Sequence, residues 1–261
     1  MMKPLLAFLS LASLPAHAQT PPATLNFEVA SIKPSLPGRQ PVGIGPAPGG
    51  VRFEAHDDAL IQSLIARAYR VLPDQVMGVP KWIEGDHYDV YARAERPSSP
   101  AEHRVMLQNL LADRFQLRVH RGTKELQEYA LTVDKNGSRL TASETPCTGA
   151  PSVEESFEEL HRVKVAAKCI PMDEFAGLLQ SVLYRPVADE TNLTGNYDLD
   201  FIFVEEVPSA VAERLLNSGL PFKPHPTLFE AVQRQFGLQL VFKKAPVEII
   251  VVDSVARPSE N

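Results

Sequence analysis

Apolar and polar positions along the chain fall into two alternating periods. Phe27, Val29 and, after a slip, Ile32 lie near period two and predict a strand over Phe27–Ile32. Leu60, Leu64, Ile65, Ala68 and Tyr69 then repeat at helical spacing over 58–70, with Asp57 or Asp58 placed to cap the helix. Two strands follow, a short one near Gln75–Gly78 and a second over His87–Ala92. A second helix begins after Ser99, with Pro100 in its first turn and Met106, Leu107, Leu110 and Leu111 on one face. Its strands are Phe115–Arg121 and Glu128–Asp134. The third helix carries Met172, Phe175, Leu178, Leu179 and Val182, and leads into Pro186–Asp189 and Tyr197–Val204. The fourth carries Leu228, Phe229, Val232 and Phe236, followed by Leu238–Lys243 and Val247–Val252, which read as a central hairpin with Pro246 at its turn.

Each unit is a helix followed by two strands, and the units resemble one another in letters. Arg114-Phe115-Gln116-Leu117-Arg118-Val119 parallels Gln235-Phe236-Gly237-Leu238-Gln239-Leu240, and Tyr88-Asp89-Val90 parallels Tyr197-Asp198-Leu199. Arg52-Phe53-Glu54-Ala55 before the first helix matches Lys164-Val165-Ala166-Ala167 before the third. Self-similarity of this kind predicts a duplicated half. The halves would be 19–142 and 163–261, joined by an acidic stretch at 143–162. An apolar helix stripe and a hairpin with one apolar face bury each other by packing together. The expected fold class is therefore α+β, with antiparallel or mixed sheets and helices on one face.

Composition narrows the setting. The chain has 261 residues, 44% hydrophobic and 22% charged, with two cysteines, which excludes collagen, coiled coil and a wholly disordered chain. Proline is in excess, at 23 residues against a usual share of about 5%. It concentrates in Pro34–Gly50, read as a stiff surface loop, and in Val207–Pro226. The formal charge is −6, an unfavourable balance for nucleic acid or an anionic membrane.

Residues 1–18 have the parts of a cleaved secretory signal: Lys3, the apolar run Leu5–Leu14 and the small-x-small site Ala16-His17-Ala18. The expected location is periplasmic or extracellular, and no later segment is long and apolar enough to span a bilayer. Export favours a disulfide between Cys147 and Cys169, because oxidising compartments let such bonds persist.

Signatures of chemistry are sparse. The sequence has no Gly-x-Ser-x-Gly elbow, no Ser-x-x-Lys and no His-Glu-x-x-His, and the mature histidines are scattered singly. No catalytic residue, metal site or cofactor is expected. Glu154, Glu155, Glu158 and Glu159 read as a solvated face. The oxygen-rich stretch Asp189–Asp200 reads as a turn built on Asn and Gly, followed by a strand whose outward members are Asp198 and Asp200. The candidate binding residues are Trp82, with Tyr88 and Tyr91 nearby, and Asp198 and Asp200. Trp82 also suits a lid on the core.

The phrases Phe27-Glu28-Val29-Ala30-Ser31-Ile32-Lys33-Pro34-Ser35, Leu110-Leu111-Ala112-Asp113-Arg114-Phe115, Asn192-Leu193-Thr194-Gly195-Asn196-Tyr197-Asp198 and Ala245-Pro246-Val247-Glu248 resemble a large secreted acidobacterial family of the Solibacter type, of unknown function. The resemblance implies an exported domain and names no catalytic residue. The strand–helix–two-strand unit is also similar to the short N-terminal domain of secretins and TonB-dependent receptors, which implies protein docking. The expected function is a non-catalytic exported protein that docks an envelope protein or small ligand. The alternative is an extracytoplasmic hydrolase whose Asp, Glu and His converge only in three dimensions.

Overall fold

The structure, a computed structural model, describes residues 25–35, 42–47, 49–144, 147, 152–158, 162–204 and 226–258. The first half of the chain gives β1 (Val29–Pro34), β2 (Val42–Pro46), β3 (Arg52–Leu60), α1 (Ile61–Tyr69), β4 (Val76–Met77), β5 (His87–Arg93), α2 (Pro100–Arg114) and β6 (Arg118–Val133). The second gives β7 (Ser152–Glu158), β8 (Arg162–Pro171), α3 (Met172–Leu183), β9 (Val187–Asp189), β10 (Asn196–Val204), α4 (Leu228–Phe236) and β11 (Leu238–Ser254). The fold is α+β, with three sheets among the described residues: β1-β5-β3-β2, β10-β8-β7 and β4-β11-β6-β9. The first two are antiparallel. The third is mixed, because β4 runs parallel to β11 and β9 parallel to β6.

Helices form where the apolar spacing and the caps agree. α1 buries Ile61, Leu64, Ile65 and Ala68, and its terminus is closed by Arg70 in the left-handed region at φ 58°. α2 opens on a capping box in which Glu102 N donates to Ser99 Oγ and Ser99 N donates to Glu102 Oε2 at 2.8 Å. The Ser99 amide, helped by Arg96, holds the Glu102 carboxyl down at about 2. The expected Asp cap of α1 is absent. β3 runs straight into the helix, and the cap position is Leu60 with no side-chain bond.

Three further expectations change. The first strand begins two residues later than predicted, at Val29. Part of the Pro/Gly-rich loop pairs with β3 as edge strand β2, where a proline is tolerated; residues 36–41 and Pro48 lie outside the described residues. Most importantly, neither Phe115–Asp134 nor Leu238–Val252 is a hairpin. Each is one long strand, and the two pair antiparallel from Leu238↔Val133 to Ser254↔Arg118. Pro246 is therefore inside a strand, opposite Glu125. The Glu248 carbonyl accepts from Gln75 Nε2 at 2.7 Å, so the backbone groups of Glu248 face away from β6. In a strand the groups two residues earlier face the same way, and the donor that Pro246 lacks belongs to an edge with no neighbouring strand among the described residues.

The order strand, helix, short strand, strand, helix, long strand occurs twice, in matching register. Phe53 stands opposite Ala92 and Ala55 opposite Val90; Val165 stands opposite Phe201 and Ala167 opposite Leu199. Tyr129, four residues after Glu125, pairs with Val187 of β9, and Ile250, four residues after Pro246, pairs with Val76 of β4. The two long strands thus form a central ribbon, and each takes a short strand from the other half.

Two apolar clusters sit at the ends of this ribbon. One gathers Phe53, Leu64, Val90, Leu107 and Phe115 and receives Ile250 and Val252 from β11. The other gathers Val165, Phe175, Phe201, Val232 and Phe236 and receives Leu131 from β6.

Candidate functional site

The expected binding residues fall on two separate sheets. Trp82 lies in the turn between β4 and β5, packed against the first cluster. The Arg257 guanidinium sits 4.9 Å from the centre of its ring, and Arg257 Nε donates to Asp86 Oδ2 at 2.7 Å. This stacking fixes the chain beyond β11 onto the first half. Tyr88 is buried, edge-on to Phe115 with ring centroids 5.3 Å apart, and burial raises its hydroxyl above the usual tyrosine range, with Asp86 adding to the shift. It offers no surface to a ligand. Tyr91 is exposed on β5, between Ser31 of β1 and Glu54 of β3.

Asp198 and Asp200 lie on β10 and differ in circumstance. The Asp198 carboxylate accepts from Ser143 Oγ at 2.7 Å, from the Cys169 amide at 3.0 Å and from Lys168 Nζ at 3.2 Å. The Cys169 bond is the main reason that its carboxyl stays below the usual range. Cys169 has φ 55° and is bonded to Cys147 across 22 positions, with Cα atoms 5.6 Å apart. Asp198 therefore anchors the disulfide and the start of the segment leading to it. Asp200 is largely exposed, with Lys164 Nζ at 3.9 Å. Their neighbours Leu199, Phe201 and Phe203 point into the second cluster, as the alternation predicted. The preceding turn is made as expected, by Asn192 at φ 56° and Gly195 at φ 104° with Asp189 Oδ1 accepting from Thr191 N and Oγ1.

Two surface depressions stand out. One of about 520 Å³ lies on β7 and β8, lined by Val153, Glu154, Ser156, Lys164 and Ala166. The other, about 270 Å³, lies along the ribbon between Gln75, Glu128, Gln180, Val187 and Val247. Among the described residues neither is lined by a histidine, Asp198 or Asp200. His103, buried in the first half, has Nε2 2.9 Å from the Gly50 carbonyl, and His120 pairs with Asp253 on the ribbon. Among the described residues no three His, Cys, Asp or Glu side chains gather to hold a metal ion, and no helix is long and apolar enough to cross a membrane.

The surface feature that sequence reasoning missed is an aromatic group on the ribbon. Tyr129 and Phe242 are cross-strand partners with centroids 5.2 Å apart, and Tyr129 also meets Phe229 of α4 at 5.3 Å. Phe242 is 51% exposed, with the Arg185 guanidinium 5.6 Å from its ring centre and Tyr184 exposed beside Arg185. Alternation assigns Phe242 to the same inward side as Leu238 and Leu240. The strand, however, leaves the second cluster before it reaches Phe242, and the pair Lys243-Lys244 was the available sign of that exit.

A family model described as "Protein of unknown function (DUF3738)" matches residues 62–255. The chain belongs to this family. No curated protein and no solved structure matches this DUF3738 chain. The matched span runs from α1 to the end of β11, so it takes in the second cluster, the disulfide and the whole ribbon of the DUF3738 fold, while β1–β3, with Phe53 of the first cluster, precede it.

Proposed function

We propose that this chain is an exported, non-catalytic module that docks a protein partner through the aromatic face of its ribbon. The observation that carries the reading is the Tyr129–Phe242–Phe229 group, with Phe242 half in solvent. Aromatic rings flanked by an arginine are what protein interfaces enrich at their centres. The Cys147–Cys169 bond suits an oxidising compartment, in keeping with the signal read at 1–18, which lies outside the described residues. The hydrolase alternative finds less support: Asp198 spends its oxygens on Ser143, Lys168 and Cys169, and among the described residues neither depression joins a carboxylate to a histidine. The matching order and register of the two series support an origin by duplication, with 143–162 as the join.

A photo-crosslinking residue placed at Phe242 in the native cell envelope tests the docking reading. One discrete protein adduct is expected, and it should disappear when Tyr129→Asp is added. Absence of any adduct at position 242 from correctly folded protein, with turnover of a general esterase or peptidase substrate, would reverse the assignment.

A further inference from the structure

We infer that the outer edge of β10 is a strand-acceptor site for an extended, basic segment of a partner protein. The inference rests on a difference between the two otherwise matching sheets. In the first, β5 has β3 on one side and β1 on the other, with Ser31 opposite Tyr91 and Ile32 opposite Val90. In the second, β10 has β8 on one side and, among the described residues, no strand on the other. Among the described residues, the place that β1 fills is filled only at its two ends. Ser143 N donates to the Asn196 carbonyl at 2.9 Å and Asp198 N to the Thr141 carbonyl at 3.4 Å, while Val204 N donates to the Pro226 carbonyl at 3.0 Å.

These bonds also fix the parity. Backbone groups of 196, 198 and 204 face the open side, so those of Asp200 and Ile202 face it as well. Between the two pinned ends lies a slot about five residues long in which both residues present an N–H and a C=O outward. Bare donors and acceptors of this kind are what strand addition uses.

The slot also indicates its occupant. The register equates Asp200 with Tyr91, because Tyr197 and Tyr88 are matching positions of β10 and β5. The residue facing Asp200 is thus the counterpart of Ser31. Asp200 is largely exposed, with Lys164 Nζ no nearer than 3.9 Å, so a lysine or arginine at that place is favoured across the strands. Phe201 and Phe203 are already buried where the first half has the small residues Ala92 and Ala94. The incoming strand therefore needs small apolar side chains on its inner face and gains mainly from main-chain bonds and charge.

This inference is independent of the aromatic face of the ribbon, and its test uses a different readout. Amide hydrogen exchange is followed in the intact chain with a blocked five-residue peptide copying 28–32 and carrying Glu28→Ala and Ser31→Lys. Without peptide, the amides of Asp200 and Ile202 should exchange much faster than those of Leu199, Phe201 and Phe203, which bond to β8. With millimolar peptide the two should slow selectively, and the Ser31→Glu peptide should bind roughly tenfold more weakly. Asp200→Lys should invert that preference. Slow exchange at Asp200 and Ile202 in the free protein, or no change on adding either peptide, would overturn the inference whatever happens at Phe242.

Discussion

Arg104 Nη2 of α2 lies 2.7 Å from Glu174 Oε1 of α3, a side-chain link between the two halves in addition to the strand pairing of the ribbon. Arg70, at the end of α1, reaches the same carboxylate at 3.5 Å and Asp173 at 3.0 Å. Both partners of the Arg104 pair are partly shielded from water, with side-chain exposures of 22% and 26%. Glu174→Ala should therefore cost about 1 kcal/mol, the upper range for ion pairs of this exposure. Urea unfolding at low salt and near 1 M salt checks this, because screening should shrink the loss.

Asp198 gives a pH prediction. Its carboxyl is held below the ordinary 3.8 by the Cys169 amide first and the Ser143 hydroxyl second. A carboxyl lowered in the folded state stabilises the fold above its unfolded value, and that contribution fades as pH falls below 3.8 toward the lower folded value. Wild-type stability should therefore drop more steeply from pH 5 to pH 3 than that of Asp198→Asn. Equal slopes in acid titrations of the two would remove the carboxylate from this role.

The disulfide has its own expected size. Cys147 and Cys169 close a loop of 22 positions, and the chain-entropy treatment gives about 3 kcal/mol for such a loop. Cys147→Ser should lower the denaturant midpoint accordingly, and wild type in reductant should coincide with the variant.

Neighbouring positions on β11 should respond oppositely to proline. Pro246 directs its missing donor to the open edge, so Pro246→Ala should change stability by less than about 1 kcal/mol. Ala245 directs its amide toward Leu126 of β6, and Ala245→Pro should cost about 1–3 kcal/mol, because the Leu126 carbonyl loses its ladder donor. A hairpin turning at Pro246 would predict the reverse order, so thermal melts of the two variants separate the topologies.

Gly237 follows α4 at φ 65°, and a Cβ there would run into the Gly137 carbonyl. Gln116 holds the matching place after α2 at φ 50°. Gly237→Ala should lose more than about 1 kcal/mol, whereas Gln116→Gly should be neutral or stabilising, since only one of the two carries a side chain in a left-handed conformation. Calorimetry of both variants decides it.

Much of the fold was legible because its periods are regular. The faces of α2 and α4 are marked by Leu107, Leu111 and Phe115 and by Leu228, Val232 and Phe236, and all six are buried. The hairpins were misread for a physical reason. Lys124-Glu125 and Lys243-Lys244 interrupt the alternation, and interrupted alternation usually marks a turn. Here it marks the stretch where each strand has left one cluster and not yet entered the other, with water on the exposed side. The chemistry of Asp198 was illegible for a different reason: its partners Ser143 and Cys169 are remote in sequence, and only pairing of β8 with β10 assembles them. Phe242 was hidden by the same long strand that hid the ribbon.

The exchange of β4 and β9 across the ribbon has a consequence for how the molecule comes apart. Ile250 and Val252 complete a cluster whose other buried members lie at Leu117 or earlier, and Leu131 completes one whose other buried members lie at Val163 or later. Stripping either long strand from its partner opens both clusters at once. Heating should thus melt the chain in a single cooperative step, with neither half persisting as a folded remnant of the other.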